Sequence, residues 1–200
     1  MQNVLSRTAK SGVLLAALGT SIIAGPAAAA PPTEHSCPSN LFPGSDLNER
    51  YGVSERIIGP PGCREALAGD RWVRAVPPWI AATSAEIDAF KQNFVSARWV
   101  TDAGTPKEFA VTAGPESLRG PFNAPAGAPF FGRPFIAPVS PAIRPLSIGE
   151  HTNVVFVTMS AETCNGLGVC LPAGESQYDS SLSPVHPAPP ADFTFAPPKK

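Results

Sequence analysis

Residues 152–160, TNVVFVTMS, carry the strongest strand signal of the chain. These nine residues are uncharged and rich in β-branched side chains, which favour extended backbone. Successive side chains of a strand point to opposite faces, and both faces are apolar here: Val154 and Phe156 lie on one, and Val155, Val157 and Met159 on the other. The pattern predicts a central strand that is covered on both faces.

The proline content extends this interpretation to the rest of the chain. The sequence has 200 residues, of which 25 are proline and only 16% are charged. Each interior proline costs a helix about 3 kcal/mol, so the chain cannot be mainly helical. We predict a mainly β fold, an antiparallel β-sandwich with one main helix at about residues 84–94 and long proline-rich loops. An α+β fold is the alternative.

The predicted helix has a clear N-terminal signal. Thr83 and Glu86 have the spacing of a capping box, in which each side chain bonds the backbone amide of the other residue. Ile87, Phe90 and Phe94 follow at positions i, i+3 and i+7 and form one apolar stripe. We therefore expect the helix to pack on the sheet through this stripe.

Shorter strands are predicted on both sides of the helix. Residues 71–76, RWVRAV, end before two prolines, and residues 192–196, DFTFA, alternate phenylalanine with smaller residues. A hairpin is predicted around the turn at 102–106, DAGTP. One face of its first strand holds Val95, Ala97 and Trp99, and one face of its second strand holds Phe109, Val111 and Ala113.

The segment PLSIGEHT, residues 145–152, leads directly into the long apolar strand. It resembles the "PL-x-x-GEHT" turn of secreted bacterial β-sandwich proteins of the immunoglobulin-like type. The order of helix, hairpin, Phe/Pro-rich middle and final strand is also similar, over about residues 83–196. The resemblance implies a fold and an extracytoplasmic location. It implies no reaction, because these relatives have no assigned activity.

The N-terminus has the pattern of a secretory signal peptide. Two basic residues precede a run of fifteen uncharged residues, 11–25, which is shorter than the ~20 apolar residues of a spanning helix. Small residues at 27–29 supply a cleavage site. We predict a signal peptide at 1–29 with cleavage after Ala29, and one secreted or extracytoplasmic domain at 30–200. No membrane span is expected after signal removal.

All four cysteines fall in the exported part, and an even number in an oxidising compartment predicts two disulfides. Three pairings are possible, of which we favour Cys37–Cys63 together with Cys164–Cys170. The second pair encloses NGLGV, whose Asn and Gly residues suit a tight loop. A zinc site is disfavoured, because there is no C-x-x-C and the three histidines are scattered. No cofactor or metal is predicted.

Residues 120–145 form a segment with seven prolines and no helical or strand periodicity, and we predict a long loop. Its four phenylalanines, Phe122, Phe130, Phe131 and Phe135, are the candidate binding residues. Each must be buried either in the protein's own core, which is the more common case, or against a partner. The tail at 183–200 is also proline-rich and is expected to be partly frayed.

Catalytic motifs are scarce. No G-x-S-x-G occurs, and residues 44–47, GSDL, transpose the serine and aspartate of a GDSL esterase block. Residues 46–49, DLNE, lack the spacing of an EF-hand loop. Glu150-His151 is interpreted as a turn entering a strand, with an exposed glutamate and a histidine at the sheet rim. The three tryptophans are either core residues or a sugar-stacking platform.

Two functional classes follow. The first is a secreted, non-catalytic binding or cell-envelope-associated module, whose partner is a cell-envelope polymer or another secreted protein. The alternative is an extracellular hydrolase that acts on a polymer through acidic residues such as Glu150 and Glu162. The absence of a catalytic motif favours the binding module. Nucleic acid is excluded as a partner, because residues 30–200 hold thirteen basic and sixteen acidic residues without a basic stripe.

Overall fold

The computed structural model describes residue 42 and residues 44–59, 62–178 and 193–198. These residues all belong to one compact unit, 32–200. The predicted signal peptide, Cys37 and most of the predicted tail lie outside the described residues. Within the described part, no helix has the length and hydropathy needed to cross a membrane.

The described residues form fourteen strands, two α-helices and one 3-10 turn, so the predicted mainly β fold is confirmed. The helices are α1 (Leu47–Tyr51) and α2 (Ser84–Asn93), and the 3-10 turn is Pro115–Ser117. The strands are β1 (Arg56–Ile58), β2 (Glu65–Leu67), β3 (Trp72–Arg74), β4 (Trp79–Ile80), β5 (Phe94–Thr101), β6 (Phe109–Ala113), β7 (Leu118–Asn123), β8 (Pro134–Pro138), β9 (Gly149–His151), β10 (Asn153–Met159), β11 (Thr163–Cys164), β12 (Cys170–Leu171), β13 (Gly174–Gln177) and β14 (Phe193–Ala196).

The strands pair into several small sheets. An antiparallel four-stranded sheet has the order β13-β10-β5-β6, and an antiparallel three-stranded sheet has the order β4-β8-β7. A mixed sheet has the order β2-β14-β9, while β1 pairs with β3 and β11 with β12. The two antiparallel sheets and α2 contribute side chains to one core, which is the layered arrangement of a β-sandwich.

The predicted strand at 152–160 is β10, and it lies between β13 and β5. Its inward face is buried through Val155, Val157 and Met159, but Val154 and Phe156 are only half-buried. The prediction of cover on both faces is therefore wrong for the second face. On this face the Arg98 guanidinium lies 4.4 Å from the Phe156 ring centre and partly covers the ring.

The predicted helix is confirmed as α2, with Thr83 as its N-cap and the capping box to Glu86 in place. Ile87 and Phe90 are buried on the sheet as expected. Phe94, which the helical stripe included, is instead the first residue of β5. Its ring still stacks on Phe90, with centroids 5.6 Å apart, because the chain passes from helix to strand without a loop.

The predicted hairpin is confirmed as β5–β6, with Trp99 opposite Val111 and Ala97 opposite Ala113. The prediction that Val95 shares a face with Ala97 and Trp99 is wrong, since those two residues are buried and 48% of Val95 is exposed. The pairing of β5 with β10 shifts in register at this point, and the irregularity leaves Val95 without an opposite residue. An extra residue of this kind reverses the alternation of faces.

The proline-rich segment 120–145 is not a loop throughout, because β7 reaches to Asn123 and β8 spans Pro134–Pro138. Strand β7 lies at the edge of its sheet, where a proline's missing N–H costs no ladder hydrogen bond. The β7–β8 register is irregular between Arg119 and Phe122, the stretch that contains Pro121. The prolines at these positions are compatible with strands, but they interrupt the alternating pattern by which a strand is recognised in the sequence. The sequence therefore did not predict β7 and β8.

The Cys164–Cys170 disulfide is confirmed and joins β11 to β12. Its loop contains Gly166 and Gly168, both at positive φ as the sequence predicts. The other predicted bridge, Cys37–Cys63, lies partly outside the described residues. None of the cysteines that the structure describes is free.

Candidate functional site

The structure separates the four candidate phenylalanines into two pairs. Phe135 is fully buried and Phe122 is half-buried, whereas 40% of Phe130 and 69% of Phe131 are exposed. The first pair belongs to strands β8 and β7, and the second pair lies in the connection between them. Core packing therefore accounts for one pair only.

The inner pair belongs to an aromatic cluster beneath α1. Phe135 stacks on Phe42 with ring centroids 4.7 Å apart, and Phe122 tilts against Phe135 at 5.4 Å. Tyr51 of α1 approaches Phe122 at 6.0 Å. Such pairs contribute about 0.5–1.5 kcal/mol beyond their buried area, so this cluster fixes α1 on the β7–β8 hairpin.

Residues 124–133, here called the hairpin tip, form a closed and hydrogen-bonded loop. Ala124 bonds across its base, accepting from Gly132 N and donating to Arg133 O, both at 2.9 Å. Two tight turns lie inside, with Ala128 N donating to Pro125 O at 3.1 Å and Arg133 N donating to Phe130 O at 2.9 Å. The tip therefore has its own internal framework.

The exposed pair sits at a conformation that ordinary residues avoid. Phe130 has φ of +63°, one of only two described non-glycine residues with positive φ. The left-handed region costs an L-residue about 1–2 kcal/mol. Gly132, two residues on, has φ of +77°, which glycine adopts without a steric penalty. Strained positions of this kind cluster at functional sites.

The tip is also fastened to the rest of the molecule. Arg133 Nη1 donates to the backbone oxygen of Ala82 at 2.8 Å, next to the N-cap of α2. Ala124 and Ala128 are buried in the same core cluster as Phe135. These small side chains anchor the loop inward while Phe131 points outward. The arrangement presents an aromatic pair on a rigid support.

Glu150-His151 forms a structural contact. His151 is 4% exposed, deeper than the predicted sheet rim, and Glu150 is exposed as expected. His151 Nδ1 lies 2.8 Å from Asp102 Oδ2, and Nε2 lies 2.8 Å from the backbone oxygen of Ser147. With both ring nitrogens engaged by acceptors, neither is available to take a proton from a nucleophile. The contact between His151 and Asp102 holds the turn before β10 against the β5–β6 turn.

The pairing of Asp102 with His151, 49 residues away in the chain, has no signal in the sequence. It has φ of +53°, and its second carboxylate oxygen accepts from Thr152 N at 3.1 Å. An aspartate in a turn is expected for local reasons. Its long-range partner becomes visible only in the folded chain.

The acidic residues of the hydrolase alternative lie beyond opposite ends of β10. Glu150 precedes β10 and Glu162 follows it. The strand between them runs from Asn153 to Met159, which spans about 20 Å at 3.4 Å per residue. Glycosidase carboxylates stand roughly 5–9.5 Å apart, much less than the length of the strand between Glu150 and Glu162, so the structure gives no support for these two residues as a catalytic pair.

The remaining sequence candidates are structural. Trp72, Trp79 and Trp99 are all buried, so the platform hypothesis is wrong and the core interpretation is confirmed. Asp46 is the N-cap of α1 and accepts from Asn48 N at 2.9 Å. The Asn48 amide in turn donates to the backbone oxygens of Val53 and Glu55. Among the described residues, no group of three His, Cys, Asp or Glu side chains could hold a metal ion.

Burial, rather than catalytic tuning, explains the largest pKa shifts. Burial raises the pKa of the Tyr51 and Tyr178 hydroxyls above their usual range. It also lowers the pKa of Arg74 to about 10, with a further contribution from the nearby Arg64. Arg74 is held by the backbone oxygen of Ile58 at 3.0 Å. None of these groups lies in the hairpin tip.

Comparison with models of known families, with curated proteins and with solved structures found no match for this chain.

Proposed function

We propose that this protein is an extracytoplasmic, non-catalytic binding module that uses its hairpin tip to hold a partner at the cell envelope. The observation that carries the proposal is the exposure of Phe130 and Phe131 on a closed, hydrogen-bonded loop. Aromatic residues exposed in pairs are costly in water and are typical of binding surfaces.

Preorganisation supports a binding role for the tip. The hydrogen bonds across its base and the Arg133 contact to Ala82 restrict the loop before any partner arrives. A loop that is already ordered loses less entropy on binding than a flexible one. The strained φ of Phe130 agrees with this role, because folding alone would favour glycine there.

The location rests on separate observations. The sequence of residues 1–29 has the pattern of a signal peptide, and the Cys164–Cys170 disulfide is typical of an oxidising compartment. The PLSIGEHT segment, 145–152, resembles the turn of secreted immunoglobulin-like β-sandwich proteins. The partner is then a cell-envelope polymer or another secreted protein.

Substitution of both exposed rings tests the proposal. We expect Phe130→Ala combined with Phe131→Ala to leave the thermal midpoint nearly unchanged while the protein shifts from the envelope fraction to the medium of its native host. Ile148→Ala is the matched control, because Ile148 is 60% exposed and lies outside the tip. A double variant retained as well as the wild type would refute the proposal.

A further inference from the structure

A cleft separate from the exposed phenylalanine pair opens beside α1. It has a volume of about 450 Å³, is open to solvent, and is lined by Gly44, Ser45, Asp46, Glu49, Arg50 and Phe122. This volume falls within the range of small-molecule sites, roughly 300–1,000 Å³. We call it the Arg50 cleft. The side chains that line it come from α1, the turn before it, and β7.

The Arg50 guanidinium is held in place by packing. Its central carbon lies 5.7, 5.5 and 5.8 Å from the ring centres of Phe42, Phe122 and Phe135. Contacts of this length are cation–π interactions, and three of them restrict the rotamer of a long side chain. The fork of donors is therefore positioned before a ligand arrives.

Most of the donors on this guanidinium are unused. Nη2 donates to Ser45 Oγ at 2.8 Å, while Nε is buried and has no hydrogen-bond partner in the part of the chain that the structure describes. The described residues include no ion-pair partner for Arg50. Nε is buried and does not face solvent, so the Nη hydrogens that Ser45 does not use are the donors that remain for an acceptor in the cleft.

Acceptors lie in the same cleft. Asp46 and Glu49 are exposed, and their carboxylates accept hydrogen bonds without donating any. Asp46 uses Oδ1 for the cap of α1, which leaves its second oxygen for a ligand. The two carboxylates repel a small anion, and the Arg50 guanidinium repels a metal cation or a protonated amine. The set suits a neutral ligand that both donates and accepts.

We propose that the Arg50 cleft binds a neutral saccharide unit of a polysaccharide chain. Each sugar hydroxyl can accept from the Arg50 guanidinium and donate to the Asp46 or Glu49 carboxylate. The C–H face of a sugar ring packs on the half-buried ring of Phe122. A cleft open to solvent admits an internal unit of a polymer, which a closed pocket would exclude. This site goes beyond the proposed tip contact, because it has its own residues and its own ligand chemistry.

Calorimetric titration of the full exported protein tests the inference. The probes are chitohexaose, cellohexaose and maltohexaose, with inorganic phosphate and trialanine as an anion and a zwitterion. Glu49→Gln keeps the shape of the side chain and removes its charge, whereas Arg50→Lys keeps the positive charge and removes the planar guanidinium. Glu162→Gln is the matched control, because Glu162 is exposed and lies outside the cleft. Thermal melting of each variant verifies that it is folded.

We expect at least one hexasaccharide to bind. Glu49→Gln and Arg50→Lys should each weaken it about tenfold or more, since hydrogen bonds to charged groups are the strong ones. Glu162→Gln and the Phe130→Ala/Phe131→Ala variant should bind it as the wild type does. Binding of no hexasaccharide, unchanged affinity in both cleft variants, or tighter binding of trialanine or phosphate would overturn the inference. Loss of envelope retention in the phenylalanine variant with intact saccharide binding supports both sites.

Discussion

The conformation of Phe130 makes an unusual stability experiment possible. Its φ of +63° places it in the left-handed region, where an L-residue such as alanine is penalised by about 1–2 kcal/mol and glycine is not. Glycine loses about 0.5–1 kcal/mol relative to alanine through the entropy of the unfolded chain. We therefore expect Phe130→Gly to be more stable than Phe130→Ala by about 0.5–1 kcal/mol.

Loss of the aromatic ring does not affect the comparison between Phe130→Gly and Phe130→Ala, because both variants remove the ring. Phe131, whose φ is not positive, supplies the matched pair of substitutions, and there alanine should be the more stable by about 0.5–1 kcal/mol. Urea denaturation at 25 °C measures all four variants. If alanine is as stable as glycine at Phe130, the tip does not hold its backbone in this conformation, and the preorganisation argument fails.

Three further expectations concern the core. Phe135→Ala should destabilise the protein by ~3–5 kcal/mol in the same denaturation assay, because Phe135 is fully buried; a loss below about 1 kcal/mol would contradict the aromatic cluster. Gly59→Ala should lower stability by about 3 kcal/mol or more, since the new Cβ would lie 1.0 Å from Arg74 Nη1 and φ is +108°; a thermal midpoint equal to that of the wild type would show that the guanidinium moves freely. Tyr51 and Tyr178 are the only tyrosines in the chain, and burial raises the pKa of both. The unfolded chain therefore loses these protons first, near pH 10, and stability falls as the pH rises above that value. Absorbance at 295 nm should show tyrosinate only as the protein unfolds, and ionisation of folded protein near pH 10 would contradict the burial.

Features that depend on near neighbours were predictable from the sequence. The capping box joins residues three apart, and the Cys164–Cys170 disulfide joins residues six apart. The strand at 152–160 carries its apolar pattern in consecutive residues. Each of these signals lies within a few neighbouring residues, so it can be recognised without knowledge of any tertiary contact.

Features that depend on distant partners were not predictable. The four phenylalanines between 120 and 145 share one residue type and one proline-rich context. Phe42 and Tyr51, far away in the chain, cover Phe122 and Phe135 and leave Phe130 and Phe131 in water. The same is true of the strands on either side of the tip, since only pairing with each other and with β4 makes strands of proline-rich sequence.

The amino-acid sequence by itself determined the fold class, the main helix and the local disulfide, because local propensity and periodicity encode them. Only the tertiary structure decided which aromatic residues are exposed, that Asp102 meets His151, and that Arg50 lies over three rings beside an open cleft. Burial is a property of what the rest of the chain places on top of a residue, and that depends on contacts formed across long separations in sequence.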